Sequence, residues 1–163
     1  MPTTITSKIA PCLWFADRAV EAAHLYVGLF GDSRIDSVTP IEADTPSGPA
    51  GSVEVVEFTL AGRQFMAINA GPLDPFNHAI SFVVTCADQA EIDRLWQALG
   101  EGGTIERCGW LKDRFGVCWQ IVPVELGEMM RQPDRARARR VMEALLAMTK
   151  LDLAGLRRAN TGG

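Results

Sequence analysis

Histidine is scarce in this chain: 163 residues hold two, His24 and His78, and the four cysteines form no C-x-x-C pair. The lack of such pairs excludes a zinc knuckle and a thioredoxin-type redox motif. No run approaches the roughly 18 apolar residues that cross a bilayer. The opening MPTTITSKIAP lacks the apolar stretch of a secretory signal. The expected location is therefore the cytoplasm. There Cys12, Cys86, Cys108 and Cys118 stay reduced and behave as small apolar residues. An excess of positive charge is also missing. The net charge of -4 argues against nucleic acid and anionic membranes as partners. The basic run Arg135, Arg137, Arg139, Arg140 is local and reads as a solvated helix face. Finally, no glycine-rich G-x-G-x-G turn joins a strand to a helix, so the usual seat of a nucleotide-like methyl donor is absent.

What is present is a globular pattern, 47% hydrophobic and 22% charged, enough to build a packed core. KIAPCLWF, Lys8 to Phe15, reads as a buried strand. Asp17 then stands as a helix cap before Val20, Ala23, Val27 and Phe30 at helical spacing, with Gly31 as the stop. His24 within this helix reads as a partly buried packing residue. Ser33 to Ile41 is a second strand, and the Pro- and Gly-rich stretch Glu42 to Gly51 a loop. Val53 to Leu60 and Gln64 to Ala70 form a hairpin through Ala61-Gly62-Arg63. The pattern then restarts. Ala79 to Cys86 is a strand, and Asp88 caps a helix with Ile92, Leu95, Trp96 and Leu99 on its core face. Three short strands follow, Thr104 to Arg107, Gly109 to Lys112 and Val117 to Val122, the last two joined at Asp113 to Gly116. Strand, helix and three strands thus occur twice. The tail reads as a helix near Leu126 to Arg131 and a longer one from about Asp134. Val141, Met142, Leu145, Leu146 and Met148 give the latter a wide apolar stripe that must pack, on its own sheet or on a second subunit.

The expected organisation is therefore α+β: two βαβββ modules, residues 1–75 and 76–124, forming a curved mixed sheet around a cleft, with extra C-terminal helices over 125–163. This order, with CGWLKDRFGVCWQIVP (Cys108 to Pro123), DQAEIDRLWQAL (Asp88 to Leu99) and LYVGLFGDSRI (Leu25 to Ile35), resembles the PhnB-like group. That group carries the domain name 3-demethylubiquinone-9 3-methyltransferase. It falls in the glyoxalase/bleomycin-resistance/dioxygenase (vicinal oxygen chelate) superfamily. The resemblance runs from about Lys8 to Lys150 and implies a homodimer.

It also implies a divalent metal, held by His and Glu from the first and last strands of each module, that polarises substrate oxygens. Those places here are Ala10-Pro11-Cys12, Gln64 to Ile68, Ser81 and Gln120, with no His and no Glu among them. No cofactor is expected. If a metal is held, the ligands on offer are His78, three residues before Ser81, and Gln120. What remains is a neutral cleft lined by Cys12, Trp14, Met66, Asn69, Ser81, Cys118 and Gln120, apolar with a few hydrogen-bonding groups. Glu54 and Glu57 read as surface positions of the third strand, and Trp110 and Trp119 as either cleft wall or core. A nucleophilic cysteine needs a base or cation nearby, and the sequence offers only Lys112 and Arg114 near Cys108 and Cys118. The leading functional expectation is binding of a small apolar or aromatic molecule without metal. The alternatives are an enzyme of the glyoxalase/dioxygenase type acting on a small metabolite, and the methyltransferase of the domain name.

Overall fold

The computed structural model describes residues 5–72 and 74–162, and the chain divides after Asp74 into two compact units. In the first unit the order is β1 (Cys12–Phe15), α1 (Ala19–Leu29), β2 (Arg34–Pro40), β3 (Glu54–Leu60) and β4 (Arg63–Asn69). In the second it is β5 (Phe82–Cys86), α2 (Gln89–Gly100), β6 (Thr104–Ile105), β7 (Trp110–Lys112) and β8 (Cys118–Pro123), followed by α3 (Leu126–Arg131), α4 (Arg135–Ala147) and α5 (Leu153–Thr161). Each unit holds a four-stranded mixed sheet. The orders β1-β4-β3-β2 and β5-β8-β7-β6 are the same arrangement given twice. The α+β class and the paired βαβββ modules are as the sequence implies. No helix among the described residues is long and apolar enough to cross a membrane.

In the first sheet β1 runs parallel to β4, with Cys12 beside Met66 and Phe15 beside Asn69. The β3–β4 hairpin closes on Ala61 and Gly62, with φ of 48° and 74°. Both angles belong to the two-residue turn that matches strand twist. Leu13, Phe15, Val56, Phe58, Phe65 and Ala67 bury one face of the sheet. The α1 residues buried against it are Ala19, Ala22, Ala23 and Tyr26; of the stripe expected from spacing, Val20, Ala23, Val27 and Phe30, only Ala23 is among them. Three alanines and one long aromatic let the helix sit close to the sheet. Asp17 does not cap this helix. The N-cap is Arg18, whose side chain pairs with Glu21 and caps no backbone N–H, and the first N–H, of Ala19, is met by Asn69 Oδ1 at 2.5 Å. His24 is exposed.

The second sheet buries Leu111, Trp119 and Ile121 beneath Ile92, Leu95 and Leu99 of α2. Asp88 caps α2 as expected, accepting from the Glu91 N–H at 2.9 Å. The tail differs from expectation. The long helix predicted from about Asp134 breaks after Ala147, and Asp152 caps a separate α5. No Gly or Pro marks the break. The carbonyls of Met148 and Thr149 instead turn away to accept from Cys108 and Gly109 N–H, at 2.9 and 2.8 Å. The apolar stripe packs within its own unit. Met129, Val141, Leu151 and Leu156 form a satellite core that Val122, Leu145 and Met148 border, while Met142 and Leu146 stay exposed. The basic run is more than a solvated face. Arg137 Nε donates to the Asn160 carbonyl at 2.8 Å and Arg140 Nε to that of Ala159 at 3.1 Å, which closes the end of α5.

Candidate functional site

Side chains alternate across a strand, so burying one face of each sheet assigns the other face by register. In the second unit Gln120 lies between Val83 of β5 and Trp110 of β7. Directly opposed residues share a face. That face therefore carries Val83, Trp110 and Gln120, and Trp119 is core. Gln120 Nε2 donates to Ser81 Oγ at 2.9 Å, so the structure joins two of the predicted site residues. Val83, on the edge strand β5, is 57% exposed, which leaves an uncovered apolar surface next to this amide–hydroxyl pair. Cys118 has the same strand parity as Gln120 but is buried beside Lys112.

His78 stands at the margin of this region. Its Nε2 lies 2.8 Å and 3.0 Å from the two carboxylate oxygens of Glu106, and its ring centroid is 5.8 Å from that of Trp110. His78 is thus paired with Glu106 and Gln120 with Ser81, and the sequence's fallback metal pair has no shared contact. Glu106 was missed by sequence reasoning. It directly precedes a tight turn in which the Trp110 N–H donates to the Arg107 carbonyl, with Cys108 at φ 61° and Gly109 at φ 80°. The Cys-Gly pair between two short strands was the signal available. The reversal it makes brings Glu106 and Trp110 together, with the Glu106 N–H donating to the Trp110 carbonyl at 3.0 Å.

In the first unit Cys12 is exposed and lies beside the half-buried Met66. Trp14 Nε1 donates to the Gly71 carbonyl at 2.9 Å, which fixes its indole at the end of the strand. Asn69 is placed elsewhere. It is three residues from Met66, an odd step, and so faces the helix side, where it bonds Ala19 N–H and donates to Glu54 Oε2 at 3.1 Å. Glu57 corrects the surface assignment. It is 4% exposed, opposite Met66 in the ladder, and accepts from Ser37 Oγ at 3.0 Å.

Cys12, Cys86 and Cys118 are not activated. Partial desolvation raises the exposed Cys12, and burial pushes Cys86 up to about 12. Cys118 is raised chiefly by burial, which outweighs the opposing effect of Lys112. Each stays protonated at neutral pH and is a poor nucleophile. Nor do the donors fit the metal implied by the superfamily. Among the described residues no three His, Cys, Asp or Glu side chains converge. The second module's expected ligand positions, Ser81 and Gln120, bond each other. A depression lined by Trp96, Gln97, Gly100, Glu101 and Ile105 involves none of these residues. The chemistry on this face is neutral hydrogen bonding beside one imidazole–carboxylate pair.

The family sequence model described as 3-demethylubiquinone-9 3-methyltransferase matches residues 7–122. The PhnB protein of Bacillus cereus is 33% identical, with 72% of this chain and 100% of that one covered at a TM-score of 0.62. Protein PA1353 of Pseudomonas aeruginosa, 24% identical, shares the fold over 72% of this chain and 98% of its own, with a TM-score of 0.55. The fosfomycin resistance protein FosX of Mesorhizobium loti, 13% identical, does so over 79% and 100%, with a TM-score of 0.53. No curated protein matches the chain. The chain belongs to the PhnB-like, 3-demethylubiquinone-9 3-methyltransferase family, on the fold of the glyoxalase/bleomycin-resistance (vicinal oxygen chelate) superfamily.

Proposed function

We propose that this protein binds a small, largely apolar or aromatic molecule without a metal, chiefly on the open face of its second module. The observation that carries this reading is the Ser81–Gln120 hydrogen bond, set between Trp110 and the exposed Val83. An amide and a hydroxyl on an apolar, aromatic surface supply orientation, and the surface supplies affinity through burial. Cys12, Trp14 and Met66 form the corresponding surface of the first module. The methyl transfer in the family's name is not adopted. The strand-to-helix turns run through Ala16-Asp17-Arg18 and Ala87-Asp88, with no glycine to admit a nucleotide-like donor. The homodimer and cytoplasmic location belong to the same reading. Family resemblance supports the first, and four free cysteines support the second.

The test is a tryptophan-fluorescence titration of the full chain with a panel of small aromatic compounds. Saturable quenching is expected, weakened by about tenfold in Gln120→Ala, a loss on the scale of one good hydrogen bond with its partner left unpaired. Absence of saturable binding across the panel, or wild-type affinity in both Gln120→Ala and Ser81→Ala, overturns the proposal.

A further inference from the structure

We propose that His78 and Glu106 form a proton-accepting pair that acts on a hydroxyl of the bound molecule, which narrows the ligand to a phenol or enol. This rests on the small-molecule reading above. His78 precedes β5 and Glu106 follows β6, yet both carboxylate oxygens lie within 3.0 Å of the same ring nitrogen. A carboxylate accepts and does not donate, so Nε2 carries the proton, and in the neutral imidazole Nδ1 presents a lone pair. Nδ1 has no hydrogen-bond partner among the described residues, and the His78 side chain is 51% exposed. A base held by a carboxylate through its other nitrogen has the orientation general-base chemistry requires.

Two further observations separate this pair from a loose surface contact. The imidazole packs on Trp110, whose strand partner Gln120 holds Ser81, so the base borders the proposed binding face. The turn joining Glu106 to Trp110 is also built at a cost. Cys108 takes a left-handed conformation that non-glycine residues avoid, and is held there by the Met148 carbonyl. Gly109 is confined further, because a Cβ there would lie 2.8 Å from the Ile121 carbonyl oxygen. Strain of this kind persists where the surroundings enforce it.

The step is a proton transfer. The ligand O–H bond breaks, its electron pair stays on oxygen, and a new N–H bond forms at Nδ1. The products are a phenolate or enolate and an imidazolium paired with Glu106. Trp110 offers an aromatic surface beside the site, which selects a flat ligand. Glu106 is a positioning residue in this scheme.

The probe is 4-nitrophenol, whose anion is coloured, titrated with full-length protein over a pH series. Bound nitrophenol is expected to ionise at lower pH than free, its ionisation constant raised by about tenfold. His78→Gln removes the shift and Glu106→Gln reduces it, while both variants keep the wild-type circular dichroism and thermal midpoint. Equal ionisation of bound phenol in wild type and His78→Gln overturns the inference and leaves small-molecule binding standing. The same follows if nitrophenol fails to bind while non-hydroxylated aromatics do. If no small aromatic binds at all, the binding proposal falls and this inference with it.

Discussion

The indole N–H of Trp119 donates to Oδ2 of Asp113 at 2.8 Å, inside the core of the second unit. Asp113 is 3% exposed, and its other oxygen accepts from the Phe115 and Val117 N–H groups at 2.9 and 3.0 Å. One carboxylate thus closes the β7–β8 hairpin and anchors a core aromatic. Asp113→Ala strands two buried donors and one part-buried donor and is expected to cost about 3 kcal/mol. Asp113→Asn keeps an acceptor for part of the set and costs less. Urea unfolding followed by tryptophan fluorescence measures both, and a loss within about 0.5 kcal/mol for alanine, the range of ordinary surface changes, contradicts the assignment.

Asn69→Ala removes the acceptor at the first N–H of α1. Losing a helix cap costs about 1 kcal/mol, and Glu54 loses its donor as well. The expected result is a lower thermal midpoint, with faster hydrogen exchange in the first turn of α1. Asp17→Ala, by contrast, leaves that turn unaffected.

Thiol chemistry follows burial. Cys12 is exposed, whereas Cys86 and Cys118 are buried. A thiol-specific disulfide reagent at neutral pH labels Cys12 in the native protein and the buried pair only after unfolding. Cys86 also makes stability fall in alkali. Its pKa is raised from 9.0 to about 12 by burial, so between those values the unfolded chain releases a proton that the folded one keeps. The contribution is fully present below pH 9.0 and is lost as pH rises through about 12. Denaturation midpoints from neutral pH upward show this decline, and Cys86→Ala makes it shallower.

Chelation offers the sharpest check on the donor set. Treatment with EDTA is expected to leave the thermal midpoint and any aromatic-ligand affinity unchanged. Protein purified without a metal-affinity column is expected to show no stoichiometric divalent metal by mass spectrometry. A near-stoichiometric metal, lost together with ligand affinity on chelation, overturns the metal-free reading and directs mutagenesis to His78, Glu106 and Gln120.

Local chemistry made much of the fold legible. The Asp88 cap, the Ile92–Leu95–Leu99 stripe and the Asp113–Gly116 turn each lie within one element or one loop, and the structure holds them where spacing places them. Features set by distant residues did not show. The α1 cap arrives from Asn69, 50 residues away, and the break after Ala147 is imposed by hydrogen bonds from Cys108 and Gly109. The site divides in the same way. Ser81 and Gln120, where the family resemblance implies ligand positions, are reached by counting from Asp88 and from Gly116, and the structure bonds them to each other. Glu106 becomes visible only when the Cys108-Gly109 turn brings it to His78, and Asn69 left the site because its strand parity opposes that of Met66.

The family match ends at residue 122, yet carbonyls of residues 148 and 149 hold the turn between Glu106 and Trp110. Docking of the terminal helices and closure of that turn are therefore coupled through these bonds, and the Cys108 and Gly109 amides are expected to exchange with the opening of the helices. Reciprocity follows. A ligand that favours the closed turn tightens the appended helices, and whatever loosens them weakens the ligand by the same factor.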